Sequence, residues 1–109
     1  MMNEANPDDM TLLKVKGNIE DRIERKNYIK QLAQAIVVVV QKHGFVRLRC
    51  VGAAAISNAT KAHIIANGEA SKKGSILVGV PSFKAVIFES DDGDIEKTSI
   101  VIEIKPLES

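Results

Sequence analysis

In the stretch Arg47–Gly68, RLRCVGAAAISNATKAHIIANG, the spacing of apolar residues changes from strand-like to helical at one glycine. Val46, Leu48 and Cys50 alternate with Arg47 and Arg49, so the first part reads as a strand with one apolar and one cationic side. After Gly52 the apolar positions Ala55, Ile56, Ala59, Ala62, His63 and Ala66 fall on one helical face. Gly68, just past the last periodic residue, is the expected stop. A face made almost wholly of alanine lets this helix lie very close to what it covers.

Upstream, Ile36–Val40 is β-branched and by propensity alone reads as a strand. Yet Ile29, Leu32, Ala33, Ile36, Val37 and Val40 follow the i, i+3, i+4, i+7 pattern without a gap. Helix is therefore expected over residues 28–42, with Asn27 as cap and Gly44 as close. On that helix Val38 and Val39 point away from the core stripe. Before it, Ile19–Asn27 is highly charged and reads either as a loop or as an early helical turn. Thr11–Lys16 alternates, with Leu13 and Val15 inward and Lys14 and Lys16 outward, and Gly17-Asn18 ends it. Residues 1–10, acidic and without periodicity, read as a flexible tail. Residues 11–109 read as a single domain.

Downstream, Glu69–Gly74 reads as a polar connection. Ser75–Glu89 is a long apolar run interrupted by Gly79 and Pro81, hence a strand that is kinked there or lies at a sheet edge. Ser90–Asp94 contains Asp-Gly, a hairpin turn. Thr98–Lys105 alternates, with Ile100, Ile102 and Ile104 inward, and Pro106 ends it. The order is β-α-β-α-β-β. Strands joined through helices are expected to run parallel with right-handed crossovers, and the last to fold back as a hairpin. Both helices then cover one face of a four-stranded mixed sheet, giving a two-layer α/β sandwich whose other face is open.

The 109 residues carry a net charge of +1, unevenly spread. Residues 14–50 hold nine Lys/Arg against three acids, while residues 89–109 total −5. A basic first half joined to an acidic end implies one electropositive surface. No apolar run approaches the roughly 20 residues of a membrane span. The single cysteine, Cys50, sits on the apolar side of a strand and reads as a structural thiol in a reducing cytoplasm.

No catalytic constellation is visible. His63 lies on an apolar helix face and reads as a satisfied core residue, and its separation from His43 does not suit a zinc pair. Asp91, Asp92 and Asp94 lack the ligand spacing of a calcium loop and read as a solvated tip. The chain is read as a non-enzyme with no cofactor and no metal. The candidate site is the turn at Gly52, where unpaired helix N–H groups favour phosphate. In a parallel arrangement this turn shares the carboxyl edge of the sheet with the first loop, which carries Lys16, Arg22, Arg25 and Lys26. Asn58 and Lys61, expected on the outer side of the second helix, extend the patch. Lys14, Lys16, Arg47 and Arg49 on the open sheet face form a second basic surface, partly offset by Glu103.

The runs VGAAAISNATKA, VGVPSF and IVIEIKP, in this order, resemble the stage V sporulation protein S family of the Alba-like superfamily, over roughly Leu12–Pro106. The resemblance implies a bacterial, usually dimeric protein on a nucleic-acid-binding fold, with the first loop and the β-hairpin arm as contacts. The chain departs from the chromatin-binding members. Its hairpin tip is acidic from Glu89 to Glu96, and Val51 and Ala53 stand where many Alba relatives have arginines flanking the glycine. Two readings result. One is a small dimeric regulator that binds DNA or RNA weakly through phosphates. The other is a self-associating protein-interaction regulator on the same fold, without nucleic acid. Val38, Val39 and Ile64, apolar and outside the core stripes, are the expected contact between copies.

Overall fold

The structure, a computed structural model, describes residues 10–107. Its elements follow the expected order: β1 (Leu12–Val15), α1 (Arg22–His43), β2 (Val46–Cys50), α2 (Ala53–Ser71), β3 (Leu77–Phe88) and β4 (Ile95–Pro106). The expected tail lies outside the described residues except for Met10.

The valine run is helical. Burying Ile29, Leu32, Ala33, Ile36 and Val40 in one stripe is worth about 1.5–3 kcal/mol for each large side chain. The helix penalty of a β-branched residue is at most about 0.7 kcal/mol, so packing wins. The start differs from expectation. Asp21, not Asn27, is the N-cap: its Oδ1 accepts from the N–H of Ile23 at 2.8 Å and of Glu24 at 3.3 Å. Asn27 is interior, and the charged segment Arg22–Asn27 is the first part of α1. At the other end Gly44 adopts φ 86° and donates to the Val40 carbonyl at 2.8 Å.

The second helix also outruns its expected end. Gly68 lies inside α2, which continues to Ser71 because Ala70 extends the alanine face onto the core. The chain then turns through Lys72–Gly74, with Gly74 at φ 76°. Ala55, Ala59, Ala62 and Ala66 are fully buried against α1 and the sheet.

The sheet order is β1-β2-β4-β3. β1 and β2 are parallel, and β4 is antiparallel to both β2 and β3. β3 thus runs in the same direction as β1 and β2, as expected, but β4 separates it from them. That insertion makes β3 an edge strand, which decides between the two readings of Pro81: an edge tolerates a missing ladder donor. Both helices cover the face of Val46, Leu48, Cys50, Ile102 and Ile104. β2 opposes only Ile100–Ile104 of β4. From the Phe83–Ile100 pair, where the contact with β2 ends, the strands continue to Phe88 and Ile95 as a two-stranded arm, about 17 Å long at about 3.3 Å per residue. The arm elongates the molecule to 51 × 34 × 26 Å.

Two polar side chains of α2 fix the edge strand. His63 Nε2 donates to the Leu77 carbonyl at 2.9 Å. Asn67 accepts from the Leu77 N–H at 3.0 Å and donates to its carbonyl at 3.3 Å. His63 is therefore the satisfied core residue that its position implied. Gly79 lies beneath it: a Cβ there would stand 3.1 Å from both His63 Cε1 and Ile102 Cγ2. Cys50 is fully buried, and burial pushes its thiol up to about 11.

Candidate nucleic-acid interface

The β1–α1 loop, the start of α2 and the hairpin arm all leave the sheet at its carboxyl edge, because β1, β2 and β3 run in one direction. Three side chains hold the loop there. Asn58 Nδ2 donates to the carbonyls of Lys16 at 2.9 Å and Gly17 at 3.0 Å. Tyr28 accepts from the Lys16 N–H at 2.9 Å, and Arg25 Nη1 donates to the Ile19 carbonyl at 3.0 Å. Gly17 lies close on the helix, where a Cβ would meet the Ala55 nitrogen at 3.4 Å.

Asn58 was expected to face outward as a ligand contact. It is 2 % exposed, because position 58 falls between Ala55 and Ala62 on the helical repeat and the loop folds over it. Its role is to position the loop, not to meet a ligand. Gly52 does begin α2 as expected, at φ 92° and with no side-chain cap. That positive φ suits glycine alone, and the first turn keeps N–H groups without a side-chain acceptor.

The remaining cations separate into two groups. Arg22, Lys26 and Lys30 stand four residues apart along α1, and with Arg25 and Ile29 they form one wall of a groove. Lys61, Ile64 and Ile65 of α2 form the other wall, enclosing about 440 Å³ with five cations and, among the described residues, no carboxylate in the lining. Like charges at i, i+4 on a helix repel by about 0.2–0.5 kcal/mol per pair, so an anion laid along the row relieves repulsion as well as adding attraction. Lys30 was missed by the sequence reading. Once Asp21 is recognised as the cap, the spacing 22, 26, 30 is visible; starting the helix at Asn27 concealed it.

Lys16 does not join this groove. Its ammonium lies 5.9 Å from the centre of the Tyr28 ring, in a cleft on the other side of the α1 start with Glu20, Asp21 and Glu24. It also lies past the end of β1, so the open sheet face carries Lys14, Arg47 and Arg49 without it. There Arg47 pairs in register with Glu103 and donates from Nη2 to Thr11 Oγ1 at 3.2 Å.

Of the residues expected between copies, Ile64 is 66 % and Val38 48 % exposed. Val39 is half-buried and packs against the core cluster, so it is not a free contact. The arm carries exposed apolar side chains the sequence reading passed over: Phe83, Ile87, Phe88 and Ile95. Phe83, Ile87 and Phe88 belong to the apolar run Ser75–Glu89, and among the described residues no helix extends over that part of the hairpin. Lys97 lies 5.7 Å from the Phe88 ring centre, and the tip Glu89–Glu96 is exposed throughout.

Among the described residues no helix is long and apolar enough to cross a membrane. Among solved structures the fold is similar to Alba from Thermoplasma volcanium, with a TM-score of 0.53 at 12 % identity. That match spans 86 % of this chain and 98 % of the other. At such identity the likeness concerns the fold, an Alba-like α/β sandwich. At the level of sequence, residues 21–107 match the family described as Stage V sporulation protein S, from the Asp21 cap through the hairpin to Leu107. With most of its length in that match, the chain belongs to the stage V sporulation protein S family.

Proposed function

We propose that this protein is a non-catalytic, cytoplasmic regulator that acts as a homo-oligomer and binds DNA or RNA through phosphate contacts with little sequence preference. The observation that carries the reading is the groove between α1 and α2, in which Arg22, Arg25, Lys26 and Lys30 of α1 stand across from Lys61 of α2 with, among the described residues, no carboxylate in the lining. The uncapped start of α2 at Gly52 lies on the same edge of the sheet and favours negative charge through its free N–H groups. Arg25 already donates to Ile19, so four cations remain fully available. Neutralising about three or four phosphates gives a log–log salt slope near −3 to −4 on duplex DNA, shallow for a chromatin protein. Phosphate contacts position without specifying, which matches a groove that offers only charge and aliphatic surface.

The test is charge reversal at exposed positions. Lys26→Glu and Lys61→Glu are expected to weaken binding to short duplex DNA, single-stranded DNA and RNA in proportion across unrelated sequences. Unchanged affinity in both variants places the site elsewhere. The acidic hairpin tip favours a second reading, in which the fold serves self-association alone.

A further inference from the structure

The hairpin tip poses a problem that phosphate binding does not solve. Residues 89–96 hold Glu89, Asp91, Asp92, Asp94 and Glu96 and no cation, so the tip repels nucleic acid. Yet it stands on a paired ribbon well beyond the sheet, with Phe88 and Ile95 side by side on one face, 39 % and 50 % exposed. A rigid arm that ends in five carboxylates beside an exposed phenylalanine and isoleucine is complementary to a cationic surface with an aliphatic floor. The molecule has one: the α1–α2 groove, with five cations around Ile29, Ile64 and Ile65.

We propose that the hairpin tip of one copy docks into the α1–α2 groove of a second copy. The carboxylates of Glu89–Glu96 meet Arg22, Lys26, Lys30 and Lys61, while Phe88 and Ile95, paired on one face of the ribbon, cover Ile64 and Ile65. The contact is heterologous, tip to groove, so a joined pair keeps one free tip and one free groove, and the assembly grows as a ring or an open chain. Its small footprint and largely charged character make it weak and salt-dependent. Because the tip takes the same cations that the previous section assigns to phosphate, docking and nucleic-acid binding exclude one another. The docking itself does not depend on that assignment.

The test uses the full chain in the absence of nucleic acid, with analytical ultracentrifugation at about 50 mM and about 500 mM salt, where screening lengths differ roughly threefold. Wild type is expected to associate at low salt and dissociate at high salt. The groove variant Lys26→Glu/Lys61→Glu and the tip variant Asp91→Lys/Asp92→Lys/Asp94→Lys are each expected to lose at least about tenfold in association constant, since like charges then face each other. Mixing the two variants restores opposite charges at the junction and is expected to recover association. Circular dichroism confirms that each variant is folded, and the milder Asp91→Asn/Asp92→Asn/Asp94→Asn variant replaces the tip reversal if it is not. Association that ignores salt, that survives both reversals, or that mixing fails to restore overturns the proposal, and so does a wild type that stays monomeric at low salt. Loss of nucleic-acid binding with this pattern intact refutes only the phosphate reading.

Discussion

Replacing Asn58 by alanine separates a residue that builds the interface from one that touches a ligand. The side chain is buried and its amide donates to two loop carbonyls, Lys16 at 2.9 Å and Gly17 at 3.0 Å. Each such bond contributes about 0.5–1.5 kcal/mol net, so their loss costs about 1–3 kcal/mol. Alanine recovers up to about 0.7 kcal/mol in helix propensity, leaving a net destabilisation centred on about 1.3 kcal/mol and reaching about 2 kcal/mol. For a domain of this size that lowers Tm by about 5–15 °C. Urea denaturation checks it: the midpoint falls while the slope stays constant. Asn58→Asp is expected to cost more, because a carboxylate then faces two carbonyl oxygens. The amide resonances of Lys16–Ile19 shift in both variants, and nucleic-acid affinity drops through the displaced loop. A cost under about 0.5 kcal/mol, the usual scale of a surface substitution, with unmoved loop resonances refutes the reasoning and returns Asn58 to the surface.

Gly79→Ala forces a methyl to within 3.1 Å of His63 and Ile102 and is expected to cost about 1–3 kcal/mol. The cost falls in a His63→Ala background, and a double-mutant cycle by thermal denaturation measures the coupling. Asp21→Ala removes the α1 cap, costs about 1 kcal/mol, and frays the turn bearing Arg22, visible as faster amide exchange at Ile23 and Glu24. Cys50 supplies a pH signature. Its folded thiol is raised from 9.0 to about 11, so above pH 9 the unfolded chain loses the proton that the folded chain keeps. Stability therefore declines between those values, by at most about 2–3 kcal/mol. Cys50→Ala should flatten that limb in denaturation curves taken across the range. Asp91→Asn/Asp92→Asn/Asp94→Asn is expected to strengthen nucleic-acid binding, as read by fluorescence anisotropy, because neutralising the tip removes both repulsion and its competition for the groove.

Most of the fold was legible because two periods dominate the chain. The alternation of β2 and the alanine repeat of α2 placed the central unit, and the stripe Ile29–Val40 overrode its own β propensity. Helix ends were less legible because they depend on competing local acceptors. Asp21 and Asn27 are both good caps, and only the fold shows which is free to bond the first turn. Gly68 resembled a stop because it stands just past Ala66, the last periodic residue; the contact that carries the helix past it, Ala70 on the core, is not local. The position of β4 between β2 and β3 also escaped the sequence, since a hairpin reads the same whichever of its strands joins the sheet.

The site was partly legible for the same reason. Arg22, Arg25, Lys26 and Lys61, read from the parallel arrangement as one basic edge, line one groove in the structure. Asn58 was misplaced because a polar side chain on an otherwise alanine face looks like an exposed one until the loop above it is known. Lys16 was grouped by sequence proximity to Arg22, yet the start of α1 stands between them. The uncovered arm could not be inferred from the apolar run of β3, which reads the same with and without a helix above it.

The central claim, that the α1–α2 groove is a phosphate-binding surface, is tested most directly by a salt titration on the wild-type protein. Labelled duplex DNA, single-stranded DNA and RNA of matched length are titrated by anisotropy at several salt concentrations. The account predicts measurable low-salt affinity for at least one of them, a log–log slope near −3 to −4 on duplex DNA, and a slope shallower by about one in Lys61→Glu. Absence of binding to all three at low salt, or a slope that Lys61→Glu leaves unchanged, contradicts it.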